Sequence, residues 1–322
     1  MSETIFKELK GSQLTSRIAT RKGTLKVRKR NLIVILVLIS CFVVFSAVAG
    51  TAQTQSKGLT GSAKDFERAK FDKASPYITN KYLPLKPGTK LIYKGSAIPE
   101  DQKTRVKRRV VTTVTDLSKW IDGVRTLVIW EKDYTAGELG ESEIAFFAQD
   151  KAGNVWLLGE YPEEYENRKV VDAPTWISGQ KGAHAGIAML ANPKVGSPDY
   201  AQGFAPPPVE FIDRARVYKK GQKTCVPVKC YTNVLVIEEF EKGVPGVFHL
   251  KYYAPKVGLV KVGWRGANEV EKETLALVKR QQLSSKELAN ARKTALKLDK
   301  RAYKRSGEVY GKTPPAKPLK KK

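Results

Sequence analysis

The chain has 322 residues, with 58 Lys and Arg against 32 Asp and Glu, a formal net charge of +26, three Cys and two His. Its length accommodates one or two domains with an ample core. So few His and Cys weigh against a zinc centre and against a hydrolase built around a histidine base. The charge is uneven: residues 1–31 carry nine Lys/Arg against two Glu, and residues 269–322 carry sixteen against six acids. Such basic blocks are usually solvated tails or contacts for polyanions, outside a packed core.

Residues 1–31 read as a basic cytoplasmic tail. The cluster Lys26-Val27-Arg28-Lys29-Arg30 then meets an apolar run over 32–50. A spanning helix needs about 20 mainly apolar residues, whereas the core of a cleavable signal takes roughly 7–15. The run therefore favours a transmembrane anchor. A signal segment cleaved after Ala49 remains the alternative, since Ala47 and Ala49 are small residues where a peptidase reads. The third reading, lipidation of Cys41, is weakened because the apolar run continues through Phe42-Val43-Val44-Phe45. In every case the basic flank keeps the N-terminus in the cytoplasm and places the chain beyond the run outside. The expected location is the cell membrane, single-pass, or secretion if Ala49 is a cleavage point.

Residues 51–81 are polar and read as a stalk. From Tyr82 the texture changes to short alternating runs punctuated by turn residues, so 82–283 is expected to be an extracytoplasmic β domain. The strands expected are 89–94, 106–115, 124–130, 142–148, 154–158, 210–217, 231–239, 247–253, 259–262 and 275–278. Asp122-Gly123 and Asp150-Lys151-Ala152-Gly153 supply turns between neighbours. The fold class is mainly β, an antiparallel curved sheet or incomplete barrel with an N-terminal transmembrane helix and a C-terminal amphipathic helix. Residues 176–208 contain GQKGAHAG, NPKVGSPDY and APPP. A stretch that long is either a lid or binding loop, or a packed Ω-type excursion. At 284–306, Ser284 and Glu287 form a capping box, and Leu288, Ala291, Ala295, Leu298 and Ala302 make one narrow apolar stripe suited to docking on the sheet. The rest of 307–322 reads as a basic disordered tail.

No HExxH, GxSxG, Walker loop or GxGxxG is present, so no catalytic residue and no cofactor are assigned. His249 alternates as a strand residue, and His184 lies in the Gly-rich stretch. Acids are dense between Glu131 and Asp172, but they lack the EF-hand spacing, so no metal is assigned. In that reading Asp150 begins a turn, and Glu163 and Glu164 face solvent. Cys225 and Cys230 bracket Val226-Pro227-Val228-Lys229 between two strand ends, where a hairpin disulfide fits an oxidising compartment; two free thiols are the alternative. The aromatic residues read either as core or as the lining of an apolar cavity in a curved sheet. On the second reading the candidate ligand-binding residues are Trp130, Trp156, Trp176, His184 and Met189.

Tyr82-Leu83-Pro84-Leu85-Lys86-Pro87-Gly88-Thr89 with Tyr93 resembles the opening of a group of secreted or anchored bacterial proteins of unassigned function. Asp150-Lys151-Ala152-Gly153-Asn154-Val155-Trp156 with Gly159-Glu160, and Tyr252-Tyr253-Ala254-Pro255-Lys256-Val257-Gly258-Leu259-Val260, resemble its later motifs. The last two are also loosely similar to the incomplete barrels of lipoprotein-carrier-like proteins. Lys256 stands where that pattern usually has Gly, and Val228-Lys229-Cys230 replaces a small-residue turn. The resemblance implies an exported β fold and carries no catalytic residue.

Three functions follow as expectations. The first is a membrane-anchored, non-catalytic domain binding a lipid or other apolar ligand. The second is an envelope protein whose basic ends hold an anionic polymer or anionic headgroups. The third is a hydrolase of unrecognised type. Basicity alone does not specify nucleic acid, which is not an expected partner.

Overall fold

A computed structural model describes residues 60–99 and 102–319. The basic tail 1–31, the apolar run 32–50 with Cys41 and Ala49, and the first part of the expected stalk lie outside the described residues. No helix among the described residues is long and apolar enough to cross a membrane.

The described residues form one antiparallel sheet. Its strands are β1 (Thr89–Ala97), β2 (Val106–Ile121), β3 (Val124–Thr135), β4 (Glu138–Gln149), β5 (Val155–Glu166), β6 (Lys169–Asp172), β7 (Trp176–Ile177), β8 (His184–Met189), β9 (Tyr200–Ala201), β10 (Gly203–Phe204), β11 (Asp213–Val226), β12 (Lys229–Glu241), β13 (Phe248–Ala254), β14 (Gly258–Arg265), β15 (Thr274–Gln282) and β16 (Lys317–Pro318). Two meanders, β1 to β5 and β11 to β15, are joined where β1 pairs with β15. Two-residue turns with positive φ connect neighbours at Asp122-Gly123, Ala136-Gly137 and Asn167-Arg168, the geometry that matches the strands' right-handed twist.

The sheet curls because its long strands are bulged. Pairing of β2 with β3 shifts between Val114 and Ser118, where Thr115 donates its hydroxyl to Val128 O at 2.6 Å and accepts from Leu117 N at 3.1 Å. A second shift lies between Ala145 and Phe147 of β4. Bulges bend a strand and raise its local twist, which brings the two free edges of the sheet, β8 and β11, towards each other.

One short stretch spans those edges. Tyr200 and Ala201 pair with β11, while Gly203 and Phe204 pair with β8. Gln202 N donates to Asp213 O at 2.9 Å between them. This stretch belongs to residues 176–208, which are no exposed lid: β7 to β10 pack, and Trp176, Ile187, Met189 and Tyr200 are buried. Gly179, Gly182 and Gly196 there turn the chain at positive φ, and Gly186 is required by close backbone contact. A Cβ on Gly186 would stand 2.2 Å from Gly203 N and 2.6 Å from Ala201 O.

Two further expectations are corrected. Residues 60–81 are not a stalk. Phe66 and Phe71 pack on Trp156 with ring centroids 5.6 and 6.1 Å away, and Asn80 donates to Gly153 O and Leu190 O. The segment holds one short 3-10 helix, Arg68–Lys70, and its widely spaced Phe66, Phe71 and Ile78 join the hydrophobic core. Nor are residues 307–319 a disordered tail. After α1 (Ser285–Arg305), the short α2 (Gly307–Tyr310) buries Tyr310, and β16 pairs with Leu117 and Ser118 of β2.

Helix α1 begins as expected, with the capping box of Ser284 and Glu287 formed in both directions. Ala291, Ala295, Leu298 and Ala302 are buried, and alanines let the helix approach the sheet closely. Its cations are not all solvated. Arg301 makes a paired contact with fully buried Glu163 at 2.7 and 2.6 Å, Arg292 pairs with Asp116, and Asp299 accepts from buried Lys119 at 3.0 Å. Glu163 therefore does not face solvent; it anchors the helix. The Cys225–Cys230 disulfide is present at the β11–β12 hairpin, with Cα atoms 3.9 Å apart.

Substituting Gly186→Ala tests the spanning stretch, because the added methyl meets backbone atoms that have no rotamer to change. We expect a loss of about 1–3 kcal/mol in denaturant unfolding, with faster amide exchange at Ala185, Gly186 and Gly203. Unchanged stability and exchange would show that the approach is not tight.

Candidate functional site

Alternation along the bulged strands turns every second side chain inward. Across the wall of β1 to β4, pairing sets Leu91, Thr112, Glu131 and Glu143 side by side, with Thr89, Val114, Ile129 and Ala145 in the next layer. Glu160 of β5 continues that second layer opposite Ala145. On the far side, Glu239 of β12 and Lys251 of β13 face inward and form an ion pair at 3.1 Å. Leu83, Pro84 and Leu85 close one approach, and Gln202 of the spanning stretch reaches in from the other.

These side chains enclose a cavity of about 110 Å³ open to the centres of water-sized molecules. One water needs roughly 10–15 Å³ by the same measure, so the space takes several waters or one small molecule. Most of the wall is apolar, including Leu91, Val114, Ile129, Phe147 and Tyr253, and the polar groups are concentrated at Thr112, Glu131, Glu143, Gln202, Glu239 and Lys251.

The carboxyl groups do not behave as surface acids. Burial pushes Glu131 well above the usual carboxylate range, and neighbouring Glu143 pushes it further, against the hydrogen bond from the Thr112 hydroxyl. Burial raises Glu143 to about 7 although Glu141 hydrogen-bonds to it. Glu160 is driven up by burial and then by Glu143, despite accepting Trp176 Nε1 at 2.9 Å. Like charges this close and this dry cannot all ionise, so near neutral pH the wall holds protons. Oε1 of Glu143, Glu160 and Gln202 is buried without a hydrogen-bond partner among the described residues.

None of the five residues expected to bind a ligand lines this cavity. Trp130 lies half-buried on the outer face, with Nε1 donating to Ser142 Oγ at 3.1 Å and Lys132 over its ring. Trp156 is held by Asp150 Oδ2 at 2.9 Å as part of the end plug. Trp176 packs on Phe211 at 4.8 Å and touches the site only through Glu160. His184 stacks on Phe204 at 5.1 Å, and Met189 is buried beside β5. They are core and seam residues, large because the ends of a barrel need large plugs. The residues overlooked are acids in phase with core positions, as in Ile129-x-Glu131-x-Asp133 and Glu141-x-Glu143-x-Ala145-x-Phe147. That alternation was the available signal. No group of three or more His, Cys, Asp or Glu among the described residues is arranged to hold a metal ion.

No family model matches the chain, and no curated protein matches it. Two solved structures are partly similar. A "putative exported protein with YmcC-like fold" from Bacteroides fragilis has a TM-score of 0.33 and 10% identity, covering 63% of this chain and 100% of that one. A "putative lipoprotein" from Parabacteroides distasonis has a TM-score of 0.33 and 11% identity, covering 63% and 99%. Likeness this slight carries no argument about what the chain does.

A carboxyl group whose pKa is raised on folding stabilises the fold below its unfolded value and loses that contribution as pH rises through its folded value. For Glu143 the window runs from 4.5 to about 7, and Glu131, Glu141 and Glu160 act in the same direction. The protein should therefore lose stability between pH 5 and pH 8 in denaturant titrations. Glu143→Gln should flatten the slope by up to about 1.4 kcal/mol per pH unit. A slope that the substitution leaves unchanged would remove Glu143 from the effect.

Proposed function

We propose that the chain is an exported, non-catalytic binding protein, held at a membrane by residues 32–50, whose barrel interior takes a small ligand with an apolar body. The observation that carries this reading is the enclosed cavity, mostly apolar yet bordered by buried acceptors that the protein leaves unpartnered. Its volume narrows the earlier expectation. Drug-sized ligands occupy pockets of about 300–1,000 Å³, so a two-chain lipid does not fit the interior in this conformation. A small amphiphile does. Export is supported by the basic cluster before the apolar run and by the Cys225–Cys230 disulfide, a bond that persists in oxidising compartments.

A native mass spectrum of the protein, released gently from detergent, should show a small non-covalent adduct. Ala145→Phe puts a ring into the cavity and should abolish that adduct while cooperative unfolding persists. A wild-type protein that never carries an adduct, and binds nothing from a panel of small amphiphiles, would end the proposal.

A second reading concerns polyanions, and one surface feature favours it. Lys86, Lys229 and Arg280 border an open cleft of about 430 Å³ together with Tyr231 and Val257. None of the three cations makes an ion pair among the described residues. Anionic lipid headgroups are the ligand proposed there, in keeping with a domain held near a membrane. Replacing all three by Ala should weaken binding to phosphatidylglycerol vesicles about tenfold at low salt, and the difference should shrink as salt screens the charges. Equal binding at low salt would leave the cleft without this role.

A further inference from the structure

The chemistry of the ligand's polar end follows from what the cavity wall lacks. This step rests on the interior-ligand reading above and narrows it to one class. Glu143 and Gln202 both line the cavity, are more than nine-tenths buried, and each keeps one oxygen, Oε1, with no hydrogen-bond partner among the described residues. An amide or carboxylate oxygen left unpartnered in the interior is strongly disfavoured; Gln202 Oε1 only accepts, and Glu143 Oε1 accepts whenever its carboxyl is ionised. A guest that relieves them must therefore donate.

Charge separates one donor from another. The polar border holds three carboxyl groups, Glu131, Glu143 and Glu239, against a single cation, Lys251, whose ammonium already lies 3.1 Å from Glu239. Glu131 and Glu143 stand directly opposite each other on β3 and β4, and Glu141 hydrogen-bonds to Glu143 on the same face. Two facing carboxyl groups can be accommodated by retaining protons or by admitting a cation between them. A hydroxyl donates to one acceptor and leaves the repulsion in place. An ammonium donates up to three hydrogen bonds and carries the neutralising charge. An anion has no proton to give Gln202 and opposes the ionisation of every carboxyl on the wall. The apolar side chains of Leu91, Val114, Ile129 and Phe147 line the same space and suit a short hydrocarbon.

We propose that the barrel interior is a site for a small primary alkylamine, with its ammonium against Glu131, Glu143 and Gln202 and its hydrocarbon among the apolar side chains. The proposal does not rest on the acidic residues alone, since the enclosed space and the two unpartnered oxygens point independently to a donating guest.

The test uses the full chain in detergent and three probes of one size, n-butylammonium, n-butanol and butyrate, with binding followed by NMR shifts of methyl groups on Leu91, Val114 and Ile129. We expect n-butylammonium to bind at least tenfold more tightly than n-butanol, and butyrate not to bind measurably. Glu143→Gln should reduce the ammonium's advantage over n-butanol to threefold or less. Should that variant fail to fold, the wild-type comparison decides alone. Equal affinity for the ammonium and the alcohol would overturn the amine assignment and leave the interior-ligand reading standing. No binding by any of the three would overturn both.

Discussion

Closure of the sheet by residues 200–204 is the constraint on which the rest of the molecule depends. A curled antiparallel sheet keeps two edges, each a row of unpaired backbone groups. Here a single extended stretch serves both, pairing with β11 through Tyr200 and Ala201 and with β8 through Gly203 and Phe204. The change of partner occurs at Gln202, whose backbone bonds to Asp213 and whose side-chain Nε2 donates to Glu239 at 3.0 Å. The same residue therefore joins the seam and borders the cavity. The fit brings the backbone of Gly186 against that of residues 201–203, and the rings of Phe211 and Trp176 against Gly203, so neither position has room for a Cβ.

Once the wall is closed, the inner face loses its water, and this turns ordinary acids into an unusual surface. Glu131, Glu143 and Glu160 sit at positions that a solid β core would fill with valine or isoleucine. Each adds a group that burial penalises. The outer face solves a comparable problem in another way. Glu163 lies fully buried under α1, yet Arg301 and the hydroxyls of Tyr161 and Tyr165 all reach it, and its carboxyl is held below the usual range despite burial. The contrast is between a carboxylate supplied with every partner it can use and carboxyl groups facing an open space with oxygens to spare. The first arrangement holds a helix in place. The second leaves room for a guest.

Much of the frame was legible in the sequence because its signals are local. Alternation located the principal strands, Asp122-Gly123 and Asp150–Gly153 marked their turns, Ser284 and Glu287 named the helix start, and the Cys225–Cys230 spacing fitted a hairpin bridge. What escaped depended on contacts between distant segments. Phe66, Phe71 and Ile78 suggest at most a turn or two of helix near residues 65–71, yet all three join the core. Tyr310 sits among lysines and prolines that read as a tail, until Asp299 and Lys119 give its ring and hydroxyl a place. The Gly-rich stretch read either as a lid or as a packed excursion, because glycine signals freedom and close contact alike. The cavity wall was not legible for a related reason: tryptophans were weighed as ligand contacts, whereas the acids that line the space, Glu131 and Glu143, are marked only by their phase with core positions.

Charge distribution connects the interior to the surroundings. Among the described residues, thirteen carboxyl side chains are buried against three cationic ones. The formal charge of +26 therefore understates how basic the exposed surface is. A surface of that sign draws anionic membranes and polymers towards it over about a Debye length, while an acidic interior favours guests of the opposite sign. The two preferences do not compete, because a closed wall of strands separates them. Under the two proposals above, the protein would sit at an anionic surface in a layer enriched in cations, where a cavity taking a donating, positively charged guest would meet them.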